Sequence, residues 1–588
     1  MAAAAAKHFV SDPKTLVRDS IDGLVLANPH LAFDSGQKVV YVKDVGKART
    51  GQVTLFCGGG SGHEPAHAGF VGPGMLTAAV AGHVFASPTS SQVLSCLRRV
   101  YSEDHGTLVV IKNYTGDVLN FGRAVERFKS ERVNAGHPMP KVAMVVVGDD
   151  VGVVNPNDDD EGGVGRRGLA GTVLVNKAAG AMAAAGGALE QVAAMAGYVS
   201  EHTFTIGCAL NAASVPGQGM PRELEANEIE VGMGIHNEPG FAKRALEPAA
   251  ALIPALVGHI VGSVPFQRAV AGGRRHVVVL VNNLGAASNL EMGLVTKLAV
   301  EATRAAGHDP VRVFSGTYMT GLAMPGASIS LLVLPADAAE RDALLALVDA
   351  PAHCAGWVNH VHAEGASAGD DEAPPAPAAP AAPASDARWE RAVESAYQCV
   401  VAAEAEVTRL DQLMGDGDCG QVLLSGATAV REAVQATQLP LNDPPAALAR
   451  ISSIVEDSMG GTSGIIYCLF LDGLAQQLRL LAAKEAASLT PQMWGAAMVG
   501  ALDTLYQYTT ARPGHRTLID ALHPFASTLA ESGSLHRALD AATEGAAATA
   551  QMQPKRGRAV YVQQTEEPVA DAGAAGLVSV LKGIVGAL

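Results

Sequence analysis

Several classes of protein are excluded by what this chain has little of. Aromatic residues make up only 4% of its 588 residues, and its net charge of −16 is not interrupted by any long basic run. Proteins that hold nucleic acid or an anionic membrane need a basic surface, so neither is expected as a partner. The seven cysteines are scattered and form no CxxC pair, which indicates a reducing compartment and no zinc site.

Targeting and membrane-spanning segments are also not expected. The first six residues are Met and Ala, and no long apolar stretch follows Lys7 as in a signal peptide. Residues 248–266 lack formal charge, but Pro254, His259 and Pro265 interrupt them, which favours a buried helix and turn over a membrane span. The sequence therefore predicts a cytoplasmic protein that does not enter a membrane.

The common nucleotide-binding signatures give no match that can be relied on. Neither the Walker motif GxxxxGK[ST] nor the HRD and DFG motifs of protein kinases occur in the chain. Residues 163–168 fit GxGxxG, but they follow the acidic run 158–161 and not a strand, so we do not expect a dinucleotide site there. A nucleotide-dependent enzyme with this sequence would belong to another class.

Three carboxylates, Asp411, Asp416 and Asp418, lie within eight residues of one another, with glycines between or after them. Glycine allows a tight fold that points such side chains to one spot, where a hard cation such as Mg²⁺ would relieve their repulsion. A solvated acidic turn is the alternative interpretation. An EF-hand is excluded, because Gln421 and Ala427 stand where that loop needs Gly and Glu.

Residues 364–387 divide the chain into two parts. They are rich in Pro and Ala, cannot form a core and favour extended polyproline II structure. At about 3.1 Å per residue such a tether could reach on the order of 70 Å. We therefore expect one folded domain over residues 7–363 and another over residues 388–588.

The first domain has an α/β pattern. Short β-branched runs at residues 53–57, 107–111, 142–147 and 276–281 read as buried strands. Ala-rich helical stretches alternate with these runs, which favours a mostly parallel sheet covered on both faces. In such sheets the chemistry gathers at the carboxyl ends of the strands.

Three loops of this domain carry reactive side chains. The first, residues 58–67, is rich in glycine and contains His63; the second carries Lys112 and Asp117; the third, residues 232–240, places His236 between glycines. A single histidine of this kind is more often structural. Two histidines framed by glycine, with a carboxylate on a neighbouring loop, predict a site for a small polar ligand.

The second domain has helical patterning throughout. Residues 389–406, 465–483, 493–509, 516–531 and 535–549 are long, apolar-striped and rich in helix-forming residues, and no convincing strand precedes the final segment. A helical bundle with cofactor residues at its loop ends is expected. The segment GGTSG at residues 460–464 precedes one of these helices, where backbone N–H groups and two hydroxyls could bind phosphate.

Four motifs together resemble a known family. They are GGGSGHEPAHAGFVGPGM, KNYTGDVLNFG, GRRGLAGTVLVNKAAGA and GMGIHNEPG, and the resemblance to the ATP-dependent dihydroxyacetone kinases extends from about residue 7 to the C-terminus. It implies an α/β substrate-binding domain made of two α/β subdomains, followed by an all-α helical-barrel domain that binds the nucleotide.

The resemblance also implies roles for the residues of the first domain. His236 would attack the ketone and hold it as a covalent hemiaminal, and Asp117 would accept the proton of the terminal hydroxyl, with His63 orienting the substrate or sharing that role. The remaining substrate contacts would come from Gly60, Ser61, Gly62, His63, Lys112 and Asp117. A carbonyl-dependent bond would anchor a very small ligand and would discriminate against glycerol.

For the second domain the resemblance implies ATP and two Mg²⁺ ions, the ions held by Asp411, Asp416 and Asp418. The nucleotide would contact Asp416, Gly417, Asp418, Cys419, Gly461, Thr462, Ser463, Arg516, Thr517, Leu518, Asp571, Ala572 and Gly573. The chain departs from the family pattern at His515, at Thr509 and Thr510, and at Ala572, which concerns nucleotide affinity more than the reaction.

The resemblance leaves alternatives. Some relatives cleave FAD to a cyclic FMN product in the helical domain, and relatives of the substrate domain can act as regulatory triose-binding proteins. The intact aspartate triplet and His236 argue against a pure regulator, which needs neither. Glyceraldehyde is expected as a second substrate and a homodimer as the assembly.

Overall fold

The structure is a computed structural model that describes residues 8–10, 12–152, 165–218, 223–359, 382–414, 417–484, 489–555 and 568–588. The chain forms two compact units, Met1–Gly365 and Ala366–Leu588. Most of the predicted linker, up to residue 381, lies outside the described residues. Its last part is ordered against the helical unit: Ala384 N–H donates to Leu439 O and Ala384 O accepts from Leu441 N–H.

The first unit alternates helices and strands. Its helices are α1 Leu16–Ala27, α2 Val45–Gly51, α3 Ser90–Val100, α4 Thr115–Asn134, α5 Gly171–Ala184, α6 Leu189–Glu201, α7 Ala249–Gly262, α8 Val264–Val270, α9 Asn289–Ala305 and α10 Ala338–Asp349. Its strands are β1 Leu31–Asp34, β2 Val39–Val42, β3 Thr54–Ser61, β4 Ala78–Val84, β5 Thr107–Lys112, β6 Val142–Val147, β7 Thr203–Ala209, β8 Glu228–Val231, β9 Ala242–Ala245, β10 His276–Asn283, β11 Asp309–Gly316 and β12 Gly326–Val333.

These strands form two six-stranded sheets, ordered β1-β2-β4-β3-β5-β6 and β11-β10-β12-β7-β8-β9. In the first sheet β4, β3, β5 and β6 are parallel, as the sequence predicted. The prediction of a mostly parallel sheet is wrong for the second, where only β10 and β11 pair in parallel. There β8 and β9 are joined by a loop and not by a crossover helix, so they return antiparallel.

A helix of small residues holds the two sheets together. α5 is buried along nearly its whole length, and one apolar core joins it to strands of both sheets. Gly180 shows why small residues are needed, since a β-carbon there would lie 2.5 Å from the Cα of Met75. Close approach through α5 brings loops of the two sheets to one place.

Residues 248–266, which lack formal charge, were predicted to form a buried helix and turn; they form the helix, and the turn leads directly into a second helix. α7 and α8 are bent by 68° relative to each other, and α8 begins beside Pro265. Leu252, Leu256 and Ile260 are buried against the second sheet.

The second unit is a closed ring of eight helices within the described residues. They are α11 Ala387–Met414, α12 Cys419–Gln435, α13 Pro444–Ser458, α14 Gly461–Lys484, α15 Pro491–Tyr508, α16 Ile519–Ser532, α17 Leu535–Ala548 and α18 Ala572–Ala587. Each helix packs against the next, and α18 packs against α11 to close the ring. The five predicted helices are present; α12, α13 and α18 were not predicted.

One helix of the ring is unusually apolar. Residues Ser463–Ala482 of α14 are long and apolar enough, by length and composition, to cross a membrane. In the ring α14 packs against α13 and α15, and its Phe470, Leu474 and Leu478 are buried in the helical core. A core helix of a bundle needs the same composition.

Candidate active site

The glycine-rich segment predicted as a loop is largely the end of a strand. β3 continues to Ser61. A β-carbon on Gly58 would lie 2.4 Å from the carbonyl oxygen of Val80 on β4, and one on Gly60 would lie 2.8 Å from the amide nitrogen of Ala86. The glycines therefore let neighbouring backbone approach closely, and the longer strand carries the chain on to His63.

The predicted substrate contacts in this segment have partners within the protein. Ser61 Oγ donates to Gly82 O at 3.0 Å, and Gly62 N–H donates to the carboxylate of Glu64 at 3.0 Å. Gly59, which was not singled out, faces the site: a β-carbon there would lie 3.4 Å from Asp117 Oδ2. Contact of Gly60, Ser61 and Gly62 with a substrate stays a prediction.

The two predicted histidines meet across the sheets, although 173 residues separate them in sequence. His63 Nε2 lies 3.0 Å from His236 Nε2. The opposite nitrogens are both taken: His63 Nδ1 is 2.7 Å from Thr320 O, and His236 Nδ1 is 2.8 Å from Glu238 Oε1.

These partners determine the protons of the histidine pair. A carbonyl oxygen and an ionised carboxylate only accept hydrogen bonds, so both Nδ1 atoms must carry hydrogen. The Nε2–Nε2 contact then needs one further proton between two lone pairs. Burial, together with the charges of Lys112 and His236, holds the pKa of His63 well below its usual range, so His63 is the acceptor of that proton.

Lys112 and Asp117 lie at the same edge, because β3 and β5 are parallel neighbours. Lys112 is fully buried and Asp117 is nearly so. Burial lowers the pKa of Lys112 and raises the pKa of Asp117, and each charge partly offsets the shift of the other. Lys112 Nζ and Asp117 Oδ1 have no hydrogen-bond partner among the described residues, which marks them as groups that await a ligand or water.

Three rings enclose His236. Their centroids lie 4.6 Å (His63), 4.6 Å (Tyr114) and 5.4 Å (Phe85) from its own, each nearly perpendicular to it. Phe85 also stacks on His63 at 5.4 Å, and its backbone has a positive φ of 55°. The enclosure limits His236 to one orientation, with Nε2 towards His63.

Glu238 holds His236 from the other side. Its carboxylate accepts from His236 N–H at 2.9 Å as well as from Nδ1. Burial acts to raise the pKa of Glu238, but the hydrogen bonds and charge of His236 outweigh it and lower the pKa to about 2. Arg167 lies beside this carboxylate and is itself fixed by Asp150 at 2.7 Å and by Gly232 O at 2.7 Å.

Sequence reasoning missed several of these residues. Glu238 and Tyr114 stand inside motifs that were recognised, so their proximity in sequence was an available signal. Arg167 belongs to the GxGxxG match that was set aside; residues 163 and 164 of that match lie outside the described residues. Phe85 and Thr320 carried no signal, since only folding brings them to the histidines.

The helical unit gathers its predicted residues at one end of the ring. Asp411 Oδ2 accepts from the N–H groups of Gly417 and Cys419, both at 3.0 Å. Asp418 is exposed and precedes α12, and Asp416 lies outside the described residues. The Cys419 thiol lies beside Ser463 at the start of α14, which places the aspartate loop beside the predicted phosphate loop.

The two remaining predicted segments, residues 516–518 and 571–573, are also adjacent. Arg516 donates to Thr549 O at 3.2 Å and to Val569 O at 2.8 Å, while Asp571 caps α18 through Ala574 N–H at 2.9 Å. Burial raises the pKa of Asp571 to about 6, with Arg516 acting against it and Asp411 adding to it. Asp416 and the side chain of Thr462, both predicted parts of the nucleotide site, lie outside the described residues.

The polar groups at this end of the helical ring are of the kinds that bind a nucleotide with Mg²⁺. Asp411 and Asp418 offer the carboxylate oxygens that Mg²⁺ prefers, and the buried Nη1 of Arg516 has no partner among the described residues. Those residues contain no ready-made cluster of three metal ligands. A site that the phosphates of the nucleotide complete would fit this arrangement.

The fold and the site together define a class of protein, in which an α/β unit with a histidine pair is joined to a ring of helices that carries Asp411, Asp418 and Asp571 at one end. A Dak1 domain matches residues 22–356 and a DAK2 domain matches residues 413–586. The chain belongs to the two-domain dihydroxyacetone kinase family.

Relatives match along the whole chain. Dihydroxyacetone kinase 1 of Saccharomyces cerevisiae is 36% identical over 609 residues, covering 99% of this chain and 100% of that protein. The human triokinase/FMN cyclase is 34% identical over 597 residues, covering 99% of each. The crystal structure of the dihydroxyacetone kinase from C. freundii in complex with AMP-PNP and Mg²⁺ matches with a TM-score of 0.60 and 30% identity, covering 100% of both chains.

Proposed function

We propose that the protein transfers the terminal phosphate of ATP to dihydroxyacetone, which the α/β unit holds as a hemiaminal on His236. The observation that carries the proposal is the histidine pair, in which the Nδ1 atoms are fixed and Nε2 of His236 faces a proton acceptor. Once Nε2 of His236 has passed its proton to His63, its lone pair is free to add to a carbonyl carbon. The full-length match to dihydroxyacetone kinases supports the same function.

Phosphoryl transfer then needs a base for the triose hydroxyl, and Asp117 is suited to that role. Its buried carboxylate has a raised pKa, and its Oδ1 has no partner among the described residues. Its Oδ2 lies 3.4 Å from where a β-carbon on Gly59 would stand. Gly59 thus leaves room beside Asp117 for a small substrate. A carboxylate of raised pKa is a stronger base for a hydroxyl proton. Lys112 would balance negative charge during transfer.

We propose that Mg²⁺ binds to Asp411, Asp416 and Asp418. When bound, Mg²⁺ would neutralise the charge of the phosphates. The start of α14 with Ser463, together with Arg516, would bind the phosphates. The relative from C. freundii was crystallised with AMP-PNP and Mg²⁺, which supports ATP and Mg²⁺ as ligands of this protein. We also propose a cytoplasmic homodimer and activity on glyceraldehyde.

We propose cleavage of FAD to cyclic FMN as a second function, because three relatives are named triokinase/FMN cyclase. The human protein is named triokinase/FMN cyclase and matches 99% of this chain. Offering FAD with Mn²⁺ in place of Mg²⁺ and measuring release of cyclic FMN tests for it. Absence of product at enzyme concentrations that phosphorylate dihydroxyacetone would exclude it.

The kinase proposal is tested by ADP release with dihydroxyacetone, glyceraldehyde and glycerol. Turnover with the two carbonyl compounds and little with glycerol is expected. In a second arm the protein is mixed with dihydroxyacetone without ATP, and intact-mass measurement should show one added triose that His236→Ala removes. Equal turnover with glycerol, or an adduct that persists in the alanine variant, would contradict the hemiaminal on His236.

A further inference from the structure

Glu238 contacts the histidine more extensively than orientation alone requires. One oxygen accepts from Nδ1 of His236 and the other from its backbone N–H, at 2.8 and 2.9 Å. Gly234 keeps the space for this carboxylate free, because a β-carbon there would lie 2.1 Å from Glu238 Oε2. The loop is therefore built around the carboxylate as well as around the histidine.

We propose that Glu238 is a positioning residue that keeps a proton on Nδ1 of His236 in the free and in the triose-bound protein, so that the hemiaminal is an imidazolium whose charge Glu238 neutralises. This inference rests on the proposed adduct on His236 and adds its charge state and its counter-ion. The adduct is then an ion pair and not a neutral N-substituted imidazole.

The protons of the capture step balance without exchange with solvent. Before capture the two histidines carry three ring N–H protons: one on each Nδ1 and one between the two Nε2 atoms. The shared proton first moves to Nε2 of His63, which breaks the Nε2–H bond of His236 and frees its lone pair. That lone pair bonds to the carbonyl carbon, the π electrons move to oxygen, and the oxygen takes the proton from His63. Afterwards both Nδ1 protons remain and the third is on the hemiaminal hydroxyl, so the single positive charge stays on His236.

Glu238 is the counter-ion of the His236 imidazolium, because the neighbouring charged groups have other partners. Arg167 is paired with Asp150 at 2.7 Å, and the strongest favourable charge acting on Lys112 is that of Asp117. Tyr114 also faces the pair, and burial holds its pKa well above the usual range, so it is neutral. Burial holds the pKa of His63 well below its usual range, so His63 keeps no charge after the transfer. Arg167 also flanks Glu238, which favours the ionised carboxylate.

The alternative is a neutral adduct, in which Nδ1 gives up its proton as the C–N bond forms. Capture would then release one proton per triose. Three rings enclose the imidazolium of this ion pair, and a partly buried ion pair is worth more than one in water, so the charged form is the one that this geometry stabilises.

The first test uses the unmodified full-length protein. Calorimetric titration with dihydroxyacetone, without ATP, at pH 7.5 in buffers of low and high ionisation enthalpy gives the number of protons exchanged. We expect a value near zero. Release of close to one proton per triose, with a mass adduct present, would overturn the inference and leave the proposed function intact. Absence of any adduct would overturn the proposed function itself.

The second test compares Glu238→Gln with Glu238→Asp. Gln keeps a hydrogen-bonding side chain of the same length but no charge, so dihydroxyacetone should bind at least about tenfold more weakly. Asp keeps the charge and should recover part of that loss. In ¹⁵N-histidine spectra the adduct should show a protonated Nδ1 in the parent and in Glu238→Asp, and an unprotonated one in Glu238→Gln.

Unchanged affinity and an unchanged Nδ1 signal in Glu238→Gln would show that the carboxylate acts only as a hydrogen-bond acceptor. Thermal unfolding and circular dichroism check that both variants fold. If neither does, the calorimetric test of the parent protein still decides the charge of the adduct.

Discussion

The triose site of the α/β unit and the nucleotide site proposed for the helical unit are preorganised to different degrees. In the α/β unit the reactive groups hold one another: His236 contacts His63 and Glu238 as well as the rings of Tyr114 and Phe85. In the helical unit Asp411 is held by backbone N–H groups, while Asp418 is exposed and the described residues form no metal cluster. A triose offers few atoms for binding, whereas a nucleotide with its metal brings charge and area that can complete a site.

The largest effect is expected in the less prepared site. Asp418→Asn removes a proposed Mg²⁺ ligand, so ADP release should fall on the order of 10³-fold while the triose adduct still forms. Steady-state kinetics and intact mass measure the two effects. Asp457→Asn, at an exposed position of α13, is the control. Near-normal turnover of Asp418→Asn at ordinary Mg²⁺ would remove this residue from the metal site.

A substitution in the preorganised site of the α/β unit should weaken triose binding more than it slows phosphoryl transfer. His236→Ala removes the covalent anchor, so dihydroxyacetone affinity should fall by about 100-fold and discrimination against glycerol should be lost. Some turnover should remain, because Asp117 is untouched. The exposed His137→Ala is the matched control. Full discrimination against glycerol in the His236 variant would show that selection does not come from the covalent bond.

A smaller change tests how closely the first site is packed. Gly234→Ala puts a methyl group in the space of the Glu238 carboxylate, and we expect about tenfold weaker triose capture with the histidine itself intact. Gly258→Ala on α7, where a β-carbon meets nothing within 4 Å, should leave capture unchanged. Equal affinities of the two variants would show that the loop adapts and is less prepared than its contacts indicate.

The smallest effect concerns the core that joins the two sheets. Lys177 of α5 donates to Leu347 O at 2.7 Å, and burial lowers its pKa to about 8 from an ordinary value of 10.5. As pH rises, the folded protein loses this proton at a lower pH than the unfolded chain does. The free energy of unfolding should therefore rise with pH between about 8 and 10.5, and this gain should be lost as pH falls back through 8. Denaturant titrations of the parent and of Lys177→Met across this range should differ in slope. Parallel profiles would show that Lys177 does not titrate there.

Some features could be predicted from local sequence. The four predicted strands became β3, β5, β6 and β10, and the strongly periodic helices of the second unit formed because each has an apolar stripe that only a neighbouring helix can cover. α12 and α13 were missed, since glycine and hydroxyl residues weaken their pattern. The glycine run was predicted as a loop, because nothing local shows that Val80 and Ala86 lie close enough to make it a strand.

The sequence by itself determined which residues can do chemistry: His63, His236, Asp117 and the aspartate triplet stand out by residue type, spacing and neighbouring glycines. Only the tertiary structure decided how they work together. The two imidazoles are 173 residues apart, and their proton is set by Thr320 and Glu238 on separate loops. Such contacts depend on the burial of α5 between two sheets, a long-range packing event that no local propensity encodes.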